Sequence, residues 1–214
     1  MAKLPRQPDL RYLQTLAPPI EILPVGTRLW RVYVRGGKHP TDWYALRYVG
    51  PTKGGRFDHH PPREDGLSHE QSFGVMYTAL DAVTCIAEVY QKRRIIYRRR
   101  SDPWLVAFDI EQALTLLDLT GNFPTQAGAS MALMSGSRSA ARTWARGFYT
   151  SYPDTQGFYY PSSMHANKPA VVLNERAEKN ATLPESPRFH RSLSDPAMMT
   201  LLRNAARTLS YIID

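Results

Sequence analysis

Residues 75–88 have the sequence VMYTALDAVTCIAE, and this stretch joins a predicted strand to a predicted helix. The short run 75–79, rich in aliphatic and aromatic residues, indicates the strand. Asp81 is a good N-cap, so a helix is predicted to begin there and to continue to about Lys92. The apolar face of this helix is formed by Ala82, Val83, Ile86, Val89 and Tyr90.

Glu88 lies about 200° from Ile86 around this helix, at roughly 100° per residue, and therefore opposite the apolar face. By its position alone, Glu88 is expected to be an exposed helix residue. A functional role requires that this opposite face borders a cleft instead of open water. Helical periodicity does not decide between the two.

Strands are also predicted at residues 28–35, 104–110, 115–119, 157–161 and 170–174. Two further helices are predicted, one over about 139–148 and one from the Asp195-Pro196 cap to about Leu209. Strands outnumber helices and do not alternate strictly with them, which favours a mixed α+β domain over a doubly wound one. Stretches rich in glycine, proline or polar residues indicate loops at 50–72, 121–137 and 176–194.

A chain of 214 residues is long enough to form one domain with its own hydrophobic core. We expect an extended, proline-containing arm over residues 1–27 and a domain core over residues 28–175. The C-terminal loop and helix, residues 176–214, are expected to pack on the same domain.

The chain carries 27 Lys and Arg against 19 Asp and Glu, which gives a formal net charge of +8. Such a charge favours anionic partners, such as nucleic acid, a dinucleotide or an acidic protein, without choosing among them. Part of it lies in one basic cluster, Arg93, Arg94, Arg98, Arg99 and Arg100. The cluster is either a solvated surface or a docking surface for an acidic partner.

The single cysteine, Cys85, excludes a disulfide framework and favours a reducing compartment. The N-terminal residues carry prolines and charges throughout, which is not the pattern of a signal peptide. The longest apolar runs are far shorter than the ~20 residues of a membrane helix. We therefore expect a soluble, cytoplasmic protein without membrane contact.

The sequence contains no GxGxxG, GxxxxGKS/T or GxSxG motif, so a Rossmann oxidoreductase, a P-loop ATPase and an α/β-hydrolase are disfavoured. A group formed by His59, His60 and His69 with Asp58 and Glu64 could in principle bind a metal ion. Its spacing is more typical of a polar loop, and no metal site is expected. No recognised nucleic-acid motif is present.

Four short segments follow one another along the chain. They are LWRVY at 29–33, GGRF at 54–57, VMYTA at 75–79 with Glu88 eleven residues after Tyr77, and GFYYPS at 157–162. Together they resemble the RES family, named for its Arg, Glu and Ser positions, and the resemblance spans about residues 28–175. The Gly-x-x-Tyr-Pro-Ser spacing assigns the family's serine to Ser162, with Ser163 as the alternative.

The resemblance implies an ADP-ribosyltransferase-like fold, with a mixed β core, flanking helices and a cleft that takes NAD as substrate without a metal. It implies Glu88 and Arg31 as catalytic residues. Cleavage of the nicotinamide–ribose bond passes through an oxocarbenium-like state, and the carboxylate of Glu88 would stabilise its positive charge. Arg31, together with Arg56, would bind the diphosphate through bidentate, charge-assisted contacts.

Three further binding residues are implied by the same resemblance. Tyr77 would stack on the cationic nicotinamide ring. Ser162 would hydrogen-bond the nucleotide or orient Arg31. Tyr33 would form part of the cleft wall.

Family resemblance also implies the toxin of a toxin–antitoxin system, with a cognate antitoxin that blocks the cleft. Two reactions remain open: degradation of NAD with water or phosphate as acceptor, and transfer of ADP-ribose to a protein target. A third alternative is a basic nucleic-acid-binding module that uses residues 93–100 and does not turn over NAD. Otherwise, nucleic acid is expected to be contacted only through the antitoxin.

Overall fold

The structure is a computed structural model that describes residues 8–214. Its strands are β1 (Ile20–Leu23), β2 (Arg28–Val34), β3 (Arg47–Gly50), β4 (His69–Ala79), β5 (Ile95–Ile96), β6 (Pro103–Asp109), β7 (Leu114–Asp118), β8 (Gly157–Pro161), β9 (Pro169–Asn174), β10 (Phe189–Ser192) and β11 (Ile212–Ile213). Its helices are α1 (Leu10–Thr15), α2 (Ala82–Tyr90), α3 (Phe123–Gln126), α4 (Ala132–Ser135), α5 (Arg138–Ser151), α6 (Glu175–Lys179) and α7 (Met199–Leu209). A 3-10 turn, Pro196–Met198, precedes α7.

Nine strands form one mixed sheet in the order β1-β7-β8-β9-β4-β2-β6-β10, with β3 also paired to β4. Strands β7 and β8 run parallel, whereas the neighbouring β8–β9 and β2–β6 pairs are antiparallel. Strands β5 and β11 form a separate parallel pair. The prediction of a single mixed α+β domain is confirmed.

The sheet carries apolar side chains on both faces. On one face, Trp144 and Phe148 of α5 pack with Phe158 of β8, and all three are essentially buried. Near the other end of the sheet, Ile86 of α2 and Leu202 of α7 pack in a shared cluster. Burying one such side chain contributes roughly 1.5–3 kcal/mol, so these contacts fix the helices against the sheet.

Strands β2 and β4 share a single pairing, between Trp30 and Ala79, and then separate. From there, β2 continues along β6 as far as Val34, while β4 remains paired with β9 back to Val75. Helix α2 contacts both β2 and β4. The sheet is therefore open between its two halves beside α2.

The six predicted strands and the three predicted helices are all present, with ends that differ by a few residues. The arm predicted over residues 1–27 is not extended throughout, although residues 1–7 lie outside the described residues. Asp9 caps α1 by accepting hydrogen bonds from the backbone N–H groups of Arg11 and Tyr12, and β1 joins the sheet beside β7. The cap and the burial of Leu13 outweigh the tendency of the neighbouring prolines towards an extended chain.

The predicted loops contain regular structure as well. Strand β4 begins at His69, inside the loop predicted for residues 50–72. Its first half lies along β3 and alternates between exposed and partly buried positions, so polar residues occupy it and hide the strand from a search for apolar runs. Helices α3 and α4 lie within 121–137, and β10 lies within 176–194.

Candidate active site

A cleft of about 490 Å³ lies where β2 and β4 separate, with α2 and the turn at Gly54-Gly55 in its wall. Four guanidinium groups line it, those of Arg31, Arg47, Arg56 and Arg100. Within residues 8–214, the only carboxylate in its wall belongs to Glu88. A cleft with this charge favours an anionic ligand and places one negative charge against it.

The structure brings five of the six predicted site residues to this cleft: Arg31, Tyr33, Arg56, Tyr77 and Glu88. The sixth, Ser162, is fully buried, and its hydroxyl donates a hydrogen bond to Glu88 Oε1 at 2.5 Å. The end of β8 therefore places the Ser162 hydroxyl against α2, whereas Arg31 is oriented by the Trp43 and Ala45 carbonyls; a contact of Ser162 with the nucleotide stays a prediction. Ser163 is exposed and does not make this contact.

Glu88 lies in the last turn of α2, on the face opposite Ile86, and that face borders the cleft. The side-chain amide of Gln91 donates to the Glu88 carbonyl oxygen at 2.6 Å and lies 3.5 Å from its Oε2. Glu88 also borders a second cavity of about 670 Å³, which Lys53, Lys92 and Arg138 line with it. Glu88 therefore lies between two cavities.

Burial raises the pKa of the Glu88 carboxyl above its usual value. The hydrogen bond from Ser162 and the charges of Arg56 and Arg138 act in the opposite direction without cancelling it. Because these three groups favour the charged form, a carboxylate can persist in a site where burial disfavours it.

Arg31 lies in β2 and is 7% exposed. Its Nη1 donates to the carbonyl oxygens of Trp43 at 2.7 Å and Ala45 at 2.9 Å. Burial lowers the pKa of Arg31 to about 10, so it stays charged at neutral pH. No described carboxylate lies within 4.0 Å of it.

Tyr33 follows Arg31 by two residues, and alternation along the strand places both side chains on the same face. Its hydroxyl lies 2.5 Å from His190 Nε2, and its ring centroid lies 5.9 Å from the Arg31 guanidinium. The residue is buried and lines the cleft.

Arg56 projects from the turn at Gly54-Gly55, and its Nη1 donates to the carbonyl oxygens of Leu133 at 3.0 Å and Gly136 at 2.9 Å. Burial lowers the pKa of Arg56, and the charge of Arg138 adds to this effect. A Cβ at Gly55 would lie 2.9 Å from the Asp58 Cβ, so the turn requires glycine at that position.

Two arginines of α5 donate hydrogen bonds to backbone carbonyls of the turn at Gly54-Gly55. Arg138 donates to the Gly54 carbonyl at 3.1 Å and to Gln91 Oε1 at 2.8 Å. Arg142 donates to the carbonyl oxygens of Thr52 at 3.2 Å and Gly55 at 3.4 Å. Neither arginine was among the predicted site residues, and their helical position gives no sign of these long-range contacts.

Tyrosines occupy the wall of the cleft near Glu88. Tyr77 accepts a hydrogen bond from the Phe57 backbone N–H at 3.0 Å, which fixes the direction of its ring. Tyr160 also lines the cleft and was missed as a site residue, although it lies in the GFYYPS segment. Burial raises the pKa of both phenols, so both are protonated at neutral pH.

The histidine-rich stretch beside the turn is structural. Asp58 is fully buried, forms an ion pair with Arg47 at 2.8 Å, accepts from the Thr52 N–H at 2.8 Å and contacts the His60 ring. Its hydrogen bond from His60 and the charge of Arg47 hold the pKa of Asp58 well below its usual value, against the effect of burial. Within residues 8–214, no group of three or more His, Cys, Asp or Glu side chains is arranged to hold a metal ion.

The model of the RES domain matches residues 28–194 of this sequence, which is most of the chain. The chain belongs to the RES domain family. The family match contains all six residues predicted for the site, so the cleft described above lies within the matched range of this RES protein.

Among solved structures, the RES protein is similar to a chain in the crystal structure of the M. tuberculosis MbcT-MbcA toxin-antitoxin complex. The two share 19% sequence identity with a TM-score of 0.54, over 91% of this chain and 96% of that chain. At this identity the likeness establishes the fold. Comparison with curated proteins gave no match.

The basic cluster lies beside the cleft. Arg93, Arg94, Arg99 and Arg100 are exposed, and Arg100 also lines the cleft. Arg98 differs from them because it is partly buried and donates to the carbonyl oxygens of Leu193 and Ser194.

No helix within residues 8–214 combines the length and the apolar character needed to cross a membrane.

Proposed function

We propose that this RES protein is the toxin of a toxin–antitoxin system, that it acts in the cytoplasm, and that it cleaves the nicotinamide–ribose bond of NAD. The observation that carries this proposal is the cleft in which one carboxylate, Glu88, stands among four guanidinium groups. NAD has a matching distribution of charge, with an anionic diphosphate and a cationic nicotinamide ring. Membership of the RES family supports the same substrate.

In the proposed reaction the bond between the nicotinamide nitrogen and the ribose anomeric carbon breaks. The electron pair leaves with nicotinamide, which becomes neutral, and positive charge develops on the ribose. Glu88 stabilises that charge across the cleft. An acceptor then forms a bond to the anomeric carbon and releases one proton, so that water gives ADP-ribose.

Arg31 is the residue best suited to the diphosphate, because its buried charge has no carboxylate partner among the described residues. Arg56 lies closer to Glu88, since it is one of the two cations that lower the pKa of that carboxyl. Arg56 is therefore proposed to bind the part of the ligand nearer to Glu88. Tyr77, with its hydroxyl held by the Phe57 N–H, presents a fixed ring on which nicotinamide stacks.

The proposal is tested by incubating purified protein with NAD and separating the products by chromatography. Release of nicotinamide by wild type, and its loss in Glu88→Gln, is the expected result. Glu185→Gln is the matched control, because Glu185 is an exposed carboxylate that does not line the cleft. Release of nicotinamide by Glu88→Gln at the wild-type rate would contradict the mechanism.

The acceptor is identified in the same experiment. Free ADP-ribose indicates water, ADP-ribose phosphate indicates phosphorolysis, and label from NAD on protein indicates ADP-ribosyl transfer. We propose degradation of NAD, with water or phosphate as acceptor, as the first reaction. Transfer of ADP-ribose to a protein is the alternative. Mass analysis of the co-product separates them without any assumption about the target.

A protein partner is proposed on the same grounds, since the structure with the similar fold is that of a toxin-antitoxin complex. We propose a cognate antitoxin that covers the cleft of this RES protein. Expression of wild type without a partner should then arrest growth of a bacterial host, whereas expression of Glu88→Gln should not. High-level expression of the wild type without harm to the host would count against the proposed toxin function.

Nucleic-acid binding is the second candidate function, and the exposure of Arg93, Arg94, Arg99 and Arg100 favours it. It predicts binding to DNA or RNA that weakens steeply with salt, in a protein that does not consume NAD. Titration of a labelled duplex at two salt concentrations distinguishes this function from NAD cleavage.

A further inference from the structure

Tyr160 lies in β8, two residues before Ser162, and is almost fully buried. Only 4% of the residue is exposed, and its ring centroid lies 4.7 Å from that of Phe57. The residue is nevertheless part of the cleft wall. The small exposed part of this tyrosine is therefore directed into the cleft.

The Tyr160 hydroxyl has no hydrogen-bond partner among residues 8–214. It is also not among the fully buried polar atoms that lack a partner, so it is open to solvent. The nearby hydroxyls behave differently: Tyr77 is bonded to the Phe57 N–H, and Ser162 to Glu88. Polar groups in such surroundings are almost always hydrogen-bonded. A free hydroxyl that opens into a cleft is suited to bind a ligand there.

Ser162, two residues after Tyr160, bonds Glu88 Oε1, and this contact places Tyr160 near Glu88. Glu88 and Arg56 are the charged groups that affect its ionisation, and Tyr77 and Cys85 are the other titratable groups nearby. Tyr160 therefore lies at the Glu88 end of the cleft. Burial and the charge of Glu88 raise its pKa well above 10, so the hydroxyl remains protonated and can donate.

We propose that the Tyr160 hydroxyl is a substrate-binding group that donates a hydrogen bond to an oxygen of the nicotinamide-side ribose. This inference rests on the proposed function, because it assigns a contact to the ribose whose bond Glu88 helps to break. The hydroxyl contributes no hydrogen bond to the described fold. Its removal should therefore weaken the ligand contact without weakening the protein.

The experiment compares Tyr160→Phe with Tyr159→Phe. Tyr159 is the neighbouring residue on β8, its side chain is on the opposite face of the strand, and it does not line the cleft. Tyr160→Phe should lower kcat/KM for NAD about 3- to 10-fold, the value of one neutral hydrogen bond. Its Tm should stay at the wild-type value, and Tyr159→Phe should keep full activity.

Calorimetric titration with ADP-ribose identifies the part of the ligand that Tyr160 contacts. ADP-ribose keeps the ribose and lacks nicotinamide, so a contact to the ribose predicts weaker binding of ADP-ribose by Tyr160→Phe. If Tyr160→Phe binds NAD more weakly but binds ADP-ribose as tightly as wild type does, the contact is to the nicotinamide carboxamide. That result would overturn the assignment to the ribose. Equal kcat/KM for wild type and Tyr160→Phe would overturn the inference and leave the proposed function intact.

Failure of the proposed function gives a different result. If the wild-type protein releases no nicotinamide from NAD, the proposed function is wrong. If this protein still binds ADP-ribose, the titration with Tyr160→Phe tests the ribose contact by itself. If it binds neither NAD nor ADP-ribose, the inference falls with the proposed function.

Discussion

The Ser162 hydroxyl donates a hydrogen bond to the Glu88 carboxylate at 2.5 Å and so joins the end of β8 to the last turn of α2. The two residues are 74 positions apart in the sequence. Ser162 Oγ also accepts from the Met164 N–H at 3.2 Å, which fixes the hydroxyl in the turn after β8. The contact occupies Oε1 and leaves Oε2, 3.5 Å from the Gln91 amide, as the oxygen available to a ligand.

Replacement of Ser162 by alanine should raise the pKa of Glu88, because a hydrogen bond that favours the charged form is removed. If cleavage of NAD requires the carboxylate, the acidic limb of the pH–rate profile moves to higher pH in Ser162→Ala. The profile of kcat/KM between pH 4 and pH 8 measures this shift.

Ser163→Ala is the control for this experiment, because Ser163 is exposed and does not contact Glu88. It should leave the acidic limb in place. A shift in Ser163→Ala with none in Ser162→Ala would reverse the assignment of the family's serine.

Glu88→Gln should lower the turnover of NAD by at least about 100-fold, the cost of removing one group that stabilises transition-state charge. It should also change stability in a pH-dependent way. The pKa of Glu88 is raised in the fold, so wild type loses stability as the pH rises from about 4.5 through the folded-state pKa. The Tm advantage of Glu88→Gln over wild type is therefore larger at pH 7 than at pH 4.

Thermal unfolding of both proteins at the two pH values measures this difference. Glu185→Gln, in which an exposed carboxylate is replaced, controls for the loss of one negative charge. An equal Tm difference at pH 4 and pH 7 would show that ionisation of Glu88 does not oppose folding.

The sequence carries enough information for the strand–helix unit of residues 75–88 and for most of the site. Asp81 caps α2 as its side-chain chemistry predicts, and the short apolar strands form where aliphatic and aromatic residues concentrate. Periodicity alone would have made Glu88 a surface residue. Its position at the cleft depends on the separation of β2 from β4, which is a property of the sheet and not of the helix.

The features that could not be predicted are long-range contacts between polar groups. Asp58 looks like a loop residue, yet it is fully buried because Arg47, Thr52 and His60 satisfy its oxygens. The partner of Ser162 is likewise decided by which residue of α2 meets the end of β8. Neither contact leaves a local pattern in the sequence.

Tyr77→Phe should destabilise the protein by about 1–3 kcal/mol, because the backbone N–H of buried Phe57 loses its acceptor. For a domain of this size, roughly 2–4 °C of Tm is lost per kcal/mol, so the expected decrease in Tm is several degrees. Urea denaturation measures the free energy of unfolding directly. An unchanged Tm for Tyr77→Phe would show that water or another group replaces the phenol oxygen.

Arg138→Gln should raise the pKa of Glu88, since the charge of Arg138 is one of the two cationic charges that lower it. The substitution also removes the hydrogen bonds to the Gly54 carbonyl and to Gln91 Oε1, so a loss of activity has two sources. Arg142→Gln separates the effect of the lost charge from the effect of the lost hydrogen bonds. Arg142 holds the same turn from the same helix, through the Thr52 and Gly55 carbonyls, but does not contribute to the Glu88 pKa.

Both variants are expected to lose activity, because each loosens the turn that carries Arg56. Only Arg138→Gln should move the acidic limb of the pH–rate profile fully to higher pH. Arg138→Lys should move it less, because lysine keeps the positive charge but lacks the planar guanidinium. Comparison of the three profiles measures the electrostatic contribution separately from the turn. Equal shifts in Arg138→Gln and Arg142→Gln would mean that the geometry of the turn, rather than the charge at position 138, sets the ionisation of Glu88.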